Sequence, residues 1–327
     1  MRKTNRFYTI AAIALFIVLI LDTKTAVDAA RDGITVCLEC IIPSLLPFMI
    51  LSAFLCSITT AGIFKGSRFL CRFLGIPDHA GTLLIVSVLG GYPACAKSIN
   101  DCYENGFLSK KTAKRMLGFC CNAGPSFIFG MIAPQLSRPI LAWLLWCIHL
   151  LASFITGCIL RINRENAPAY TQWNNKKTDI IAGSIKALGS VCVWVILFRI
   201  ALNLCEKWFF KFLSTEMAVM LTGILELSNG CLMLNKLHTQ GAIFIIAGSM
   251  LSFGGLCVLL QTVSVTKTIG LGMYFPGKLL QTCITLLLSY FIQPFLFSEA
   301  ECFSVQPMVI IAAMVTVAVI TIHRKKF

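Results

Sequence analysis

Charge is what this chain has least of. Only 13% of its 327 residues are Asp, Glu, Lys or Arg, and 14 of them are acidic. A soluble domain of this size carries about twice that charged share, so a water-facing fold is excluded. Histidine is nearly as scarce, with four in the whole chain. The sequence has no Ser-His-Asp or HExxH arrangement and no glycine-rich phosphate loop, so it is not expected to be an enzyme, to bind nucleotide or to need a cofactor. The longest polar stretch, Arg161 to Thr178, leaves no room for a soluble domain.

What is present is apolar: 57% hydrophobic residues and a mean hydropathy of +0.82. Segments long enough to span a bilayer recur from residue 7 to residue 323, which predicts an all-α polytopic membrane protein. The net charge of +14 then marks cytoplasmic loops rather than a nucleic-acid surface. Sixteen cysteines sit mostly inside apolar runs, where Cys behaves as a small hydrophobe, so reduced buried thiols are expected. Cys37-x-x-Cys40 and Cys120-Cys121 have no His at ligand spacing; a metal permease using Cys95, Cys120 and Cys121 is kept only as a rival reading.

Along the chain, Phe7 to Leu21 follows Arg2, Lys3 and Arg6, with no small-residue cleavage site followed by soluble sequence, and is expected to be a retained anchor. Ile34 to Ser57 reads as a span holding Pro43 and Pro47, and Phe64 to Leu74 as a basic amphipathic segment for the membrane interface. Gly90-Gly91-Tyr92-Pro93 and Asn122-Ala123-Gly124-Pro125 each break an apolar run, as do Glu226-Leu227-Ser228-Asn229-Gly230 and Gly254-Gly255. Pro139 to Leu160, with His149 as a core histidine, and Gly277 to Phe297 read as ordinary spans.

If every apolar segment crosses, basic loops fall on both sides. Treating 82–105 and 216–238 as re-entrant gathers Lys and Arg on one side and leaves about eight full spans, with both termini in the cytoplasm. The expected organisation is an anchor at 1–32, a repeat at 33–160, a cytoplasmic linker at 161–178, a second repeat at 179–297 and a C-terminal helix at 298–327. The two repeats enter from opposite sides, so the broken segments should meet near the bilayer midplane, as in secondary transporters.

The blocks Gly90 to Lys97, Asn122 to Ile128, Glu226 to Gly230 and Gly254 to Gln261, taken in that order, resemble those of the YlbJ-type sporulation integral membrane proteins. These are placed in the nucleoside-recognition gate domain superfamily, akin to concentrative nucleoside transporters. The resemblance implies a multi-pass protein that moves dipicolinic acid across the mother-cell membrane around the forespore. Cys95 departs from it, standing where a glycine is usual.

The expected function is therefore transport of a small organic anion, dipicolinate foremost, by alternating access. The alternatives are a nucleoside or other small-solute carrier of the same fold, or a non-transporting scaffold for sporulation. Expected partners are the solute, membrane lipid and a coupling ion. Candidate substrate-binding residues are Gly91, Tyr92, Pro93, Lys97, Asn100, Asn122, Gly124, Pro125, Ser126, Glu226, Ser228, Asn229 and Gln261. Lys97 either meets a carboxylate or snorkels to the interface. Glu226 takes a coupling proton or cation, or pairs with a lysine of the other half. Glu39 and Lys186 can pair across the pseudo-twofold axis, and Arg199 can snorkel or pair.

Overall fold

A computed structural model describes residues 16–58, 67–161, 180–304, 311 and 314–316. Residues 1–15 of the expected anchor, 162–178 of the linker and most of the C-terminal helix lie outside those residues. Among the described residues all regular structure is helical, and six helices are long and apolar enough to cross a membrane, or seven if one bent pair counts as a span. The protein is a polytopic all-α membrane protein. Its outer belt carries Leu38, Phe54, Trp143, Ile185, Val193, Phe291 and Phe295, all around half exposed or more, a surface that suits lipid and not water.

Helix α1 (Thr23–Val36) runs through a π-helical turn at Cys37–Ile41 into α2 (Ile42–Ile58). Pro43 has no N–H to return to the preceding turn, which accounts for a wider turn just before it. The expected span from Ile34 is thus the second part of one longer rod. The short α3 (Ser67–Leu74) turns Phe69 and Phe73 outward with Arg68 and Arg72. There follow α4 (Gly81–Leu89), α5 (Tyr92–Glu104), α6 (Lys110–Cys120), α7 (Pro125–Phe127, extended by a π turn at Ile128–Ile132) and α8 (Pro139–Ile159).

The second half has the same order. Long α9 (Ile180–Trp208) lies antiparallel to the first rod, with Lys207 bonded to Asp22 at 2.6 Å and Cys37 near the Cys192 carbonyl at 3.7 Å. Arg199 pairs with Asp32 at 4.0 Å, while Glu39 and Lys186 are both exposed and form no ion pair with each other among the described residues. Then come α10 (Thr215–Leu225), α11 (Leu227–Leu232), α12 (Gln240–Phe253), α13 (Gly255–Val265) and α14 (Tyr274–Leu296).

Two pairs, α4/α5 and α10/α11, are hairpins of helices too short to span. Even α5, with 13 residues, rises only about 20 Å. The feet of the first are joined where His79 Nε2 meets the Phe107 carbonyl at 2.6 Å. The arms of the second cross so closely that a Cβ on Gly230 would overlap the Gly223 backbone. Arg115 gathers the carbonyls of Leu74, Gly75 and Leu160 near the first pair of feet, at the C-terminal end of α8. Near the second pair, Ser137 donates to Gln240 and Arg138 reaches the Leu296 carbonyl, at the N-terminal end of α8. The two hairpins therefore approach from opposite ends of the same spanning helix.

Candidate functional site

Three helices take ordinary side-chain caps: Ser109 accepts from Thr112 N at 3.1 Å, Ser214 from Met217 N at 3.4 Å and Thr239 from Ala242 N at 3.3 Å. Three helices that begin inside the fold do not. α5, α7 and α13 start at Gly91, Gly124 and Gly254 with no side-chain cap. Gly91 and Gly255 have φ of +77° and +81°, a region that costs any other L-residue steric strain, so the breaks demand glycine there.

In each half the carbonyl end of the hairpin's first arm abuts the amino end of the broken span. A Cβ on Gly124 would sit 3.3 Å from the Leu89 carbonyl, and one on Gly255 would sit 3.0 Å from that of Gly223. Opposite helix-end partial charges thus neutralise each other at both crossings. The amino end of α11 is satisfied differently, by the Glu226 carboxylate, which accepts from Ser228 N at 3.0 Å and Asn229 N at 2.7 Å. The amino end of α5 has no such partner side chain.

These ends converge on one cavity of about 60 Å³. Gly91, Tyr92 and Pro93 from the first hairpin tip and Glu226, Leu227 and Ser228 from the second line it. Gly124 and Phe127 come from the broken α7, Val258 and Gln261 from α13, and Ser44 from α2. Glu226 is 2% exposed and is the only ionisable carboxylate or cation on the described wall. At this volume the cavity holds a few water molecules and is too small for an organic solute.

Seven of the thirteen candidate residues, Gly91, Tyr92, Pro93, Gly124, Glu226, Ser228 and Gln261, face this cavity together. The other six stand elsewhere. Lys97 is half a helix away, bonded to Asp101 at 2.6 Å. Asn100 binds Glu104 at 2.9 Å and Thr268 at 2.7 Å. Pro125 and Ser126 follow Gly124 into α7 without reaching the wall, and Asn229 donates its N–H to Glu226 behind it.

Asn122 belongs to a buried polar network behind the first tip. Its amide nitrogen donates to Ser87 Oγ at 2.8 Å, Ser153 Oγ at 2.9 Å and the Phe119 carbonyl at 3.0 Å, and its oxygen accepts from Gln281 at 2.9 Å. His149 is fully buried; its Nε2 accepts from Ala123 N at 3.2 Å, so Nδ1 carries the proton toward Ser252 Oγ at 3.1 Å. It serves as a satisfied core histidine that anchors the break. The residue missed by sequence reading is Lys278, 1% exposed on α14, which donates to the Cys121 carbonyl and to Gln281 Oε1 at 2.8 Å. Cys95, Cys120 and Cys121 are buried beside it as free thiols, and among the described residues no three His, Cys, Asp or Glu side chains come together as a metal site.

No protein-family model matches the chain, and no solved structure matches it. Among curated proteins, the chain is similar to the sporulation integral membrane protein YlbJ of Bacillus subtilis (strain 168), at 28% identity over 158 residues, 46% of this chain. The match spans 38% of that relative's length, so what it carries over is an integral membrane protein related in part to one of sporulation.

Proposed function

We propose that this protein is a membrane transporter of a small organic anion, dipicolinic acid during sporulation, working by alternating access. One observation carries the reading: two helical hairpins from opposite ends of α8 bring their tips to a single cavity, beside two further helix breaks. Unwound backbone at membrane depth is tolerated where it lines a solute path. The uncapped amino end of α5 offers N–H donors and a positive dipole end to a carboxylate. Similarity to a sporulation membrane protein supports the setting. Rocking one hairpin away from the other opens the 60 Å³ closed cavity to one side at a time.

On this reading the end of the molecule with Arg68, Arg72, Lys110, Lys111, Lys114 and Arg161 is cytoplasmic, and the protein sits in the mother-cell membrane around the forespore. A second reading, a neutral solute such as a nucleoside, is favoured by one fact: among the described residues the only charged side chain on the wall is the acidic Glu226, and Lys97 is turned away to Asp101. Calorimetric titration of the purified full-length protein with dipicolinate and with uridine separates the two. Binding of dipicolinate alone is expected; binding of uridine alone overturns the anion reading.

A further inference from the structure

A fully buried ammonium inside a membrane protein ordinarily has a carboxylate beside it, because an uncompensated charge in a medium of low dielectric is costly. Lys278 has none among the described residues. Its hydrogen-bond acceptors are two neutral oxygens, the Cys121 carbonyl and Gln281 Oε1. The rest of its charge is met by ring faces: the Tyr92 centroid lies 5.4 Å from Nζ and that of Tyr274 lies 5.9 Å away.

Tyr92 belongs to both places: it lines the cavity between the hairpin tips, and its ring faces the Lys278 ammonium. Its hydroxyl donates to the Leu251 carbonyl, tying the first residue of α5 to α12 in the other half. It directly follows Gly91, whose φ of +77° makes the turn at the hairpin tip. Because Tyr92 is part of that tip, a displacement of the tip carries the ring with it.

We propose that Lys278 is the cation of the solute site: it pairs with a carboxylate of a small carboxylic acid once Tyr92 swings aside, and Tyr92 closes over it in the empty state. This rests on the anion-transport reading and gives it the positive charge that the closed cavity wall lacks. The arrangement also suits a dicarboxylate that meets Lys278 at one end and the amino end of α5 at the other.

The test uses the full-length protein in lipid vesicles with dipicolinate as the probe. Lys278→Met should weaken binding at least tenfold, Lys278→Arg should stay within a few-fold of the unaltered protein, and Lys278→Gln, which keeps a donor for the Cys121 carbonyl but no charge, should bind as poorly as the methionine variant. Should Lys278→Met fail to insert, the Arg and Gln variants decide alone. If Gln restores binding as well as Arg does, the lysine is a strut for the break and the proposal is overturned. Failure of the unaltered protein to bind dipicolinate overturns the anion reading and this inference with it, whereas equal binding by all variants overturns this inference alone.

Discussion

Removing the Asn122 side chain tests the claim that this residue holds the first break in shape from behind and is not a solute contact. Asn122 is 1% exposed and its two amide hydrogens serve three acceptors, Ser87, Ser153 and Phe119, while its oxygen takes a hydrogen from Gln281. Side-chain hydrogen bonds inside membrane bundles average about 0.6 kcal/mol each. In Asn122→Ala the Gln281 amide keeps only the His149 carbonyl at 3.3 Å, and a buried donor left short of its acceptor adds about 1 kcal/mol or more. The expected destabilisation is about 2 to 3 kcal/mol, or a fall in melting temperature of roughly 3 to 4 °C for a chain of this size. Melting in detergent can be followed with a thiol-reactive dye, since Cys71, Cys95, Cys120 and Cys121 are buried until unfolding exposes them. Solute affinity below the melting point should be unchanged within about twofold. A variant that melts within about 1 °C of the parent, or that folds normally and loses binding, refutes the reasoning.

Two other substitutions follow from the same geometry. Lys97→Ala removes one partly exposed helical i,i+4 pair with Asp101, so it should cost at most about 0.5 kcal/mol and leave solute uptake within twofold; a loss of uptake with intact protein would return Lys97 to the site. Gly277→Ala places a methyl group inside the Gly118 carbonyl where α14 crosses α6, and a contact built on small residues has no slack for it. That variant should fail to accumulate in membranes on immunoblots, and normal levels would show that the two helices can part.

The breaks were legible because their cause is local. Pro93 and Pro125 lack an N–H, Gly91 and Gly255 adopt a backbone conformation with positive φ, and Glu226 caps the helix that starts right after it. The fold class was legible for the same kind of reason, since greasy runs of spanning length belong in lipid whatever their neighbours. The grouping of Gly91, Tyr92, Pro93, Gly124, Glu226, Ser228 and Gln261 around one cavity followed from the order of those breaks in two halves.

The sequence by itself determined where helices stop and which stretches seek lipid, because both follow from the chemistry of a few adjacent residues. It did not determine the fate of its two most informative lysines. Lys97 stands in an interrupted, polar segment and is neutralised one turn away by Asp101; Lys278 stands in an ordinary apolar span and is buried with no carboxylate beside it among the described residues. Burial and pairing depend on what packs from afar: α6 and α5, folded against α14 from more than 150 residues away, bring the Cys121 carbonyl and the Tyr92 ring onto Lys278. Only the tertiary structure could decide that.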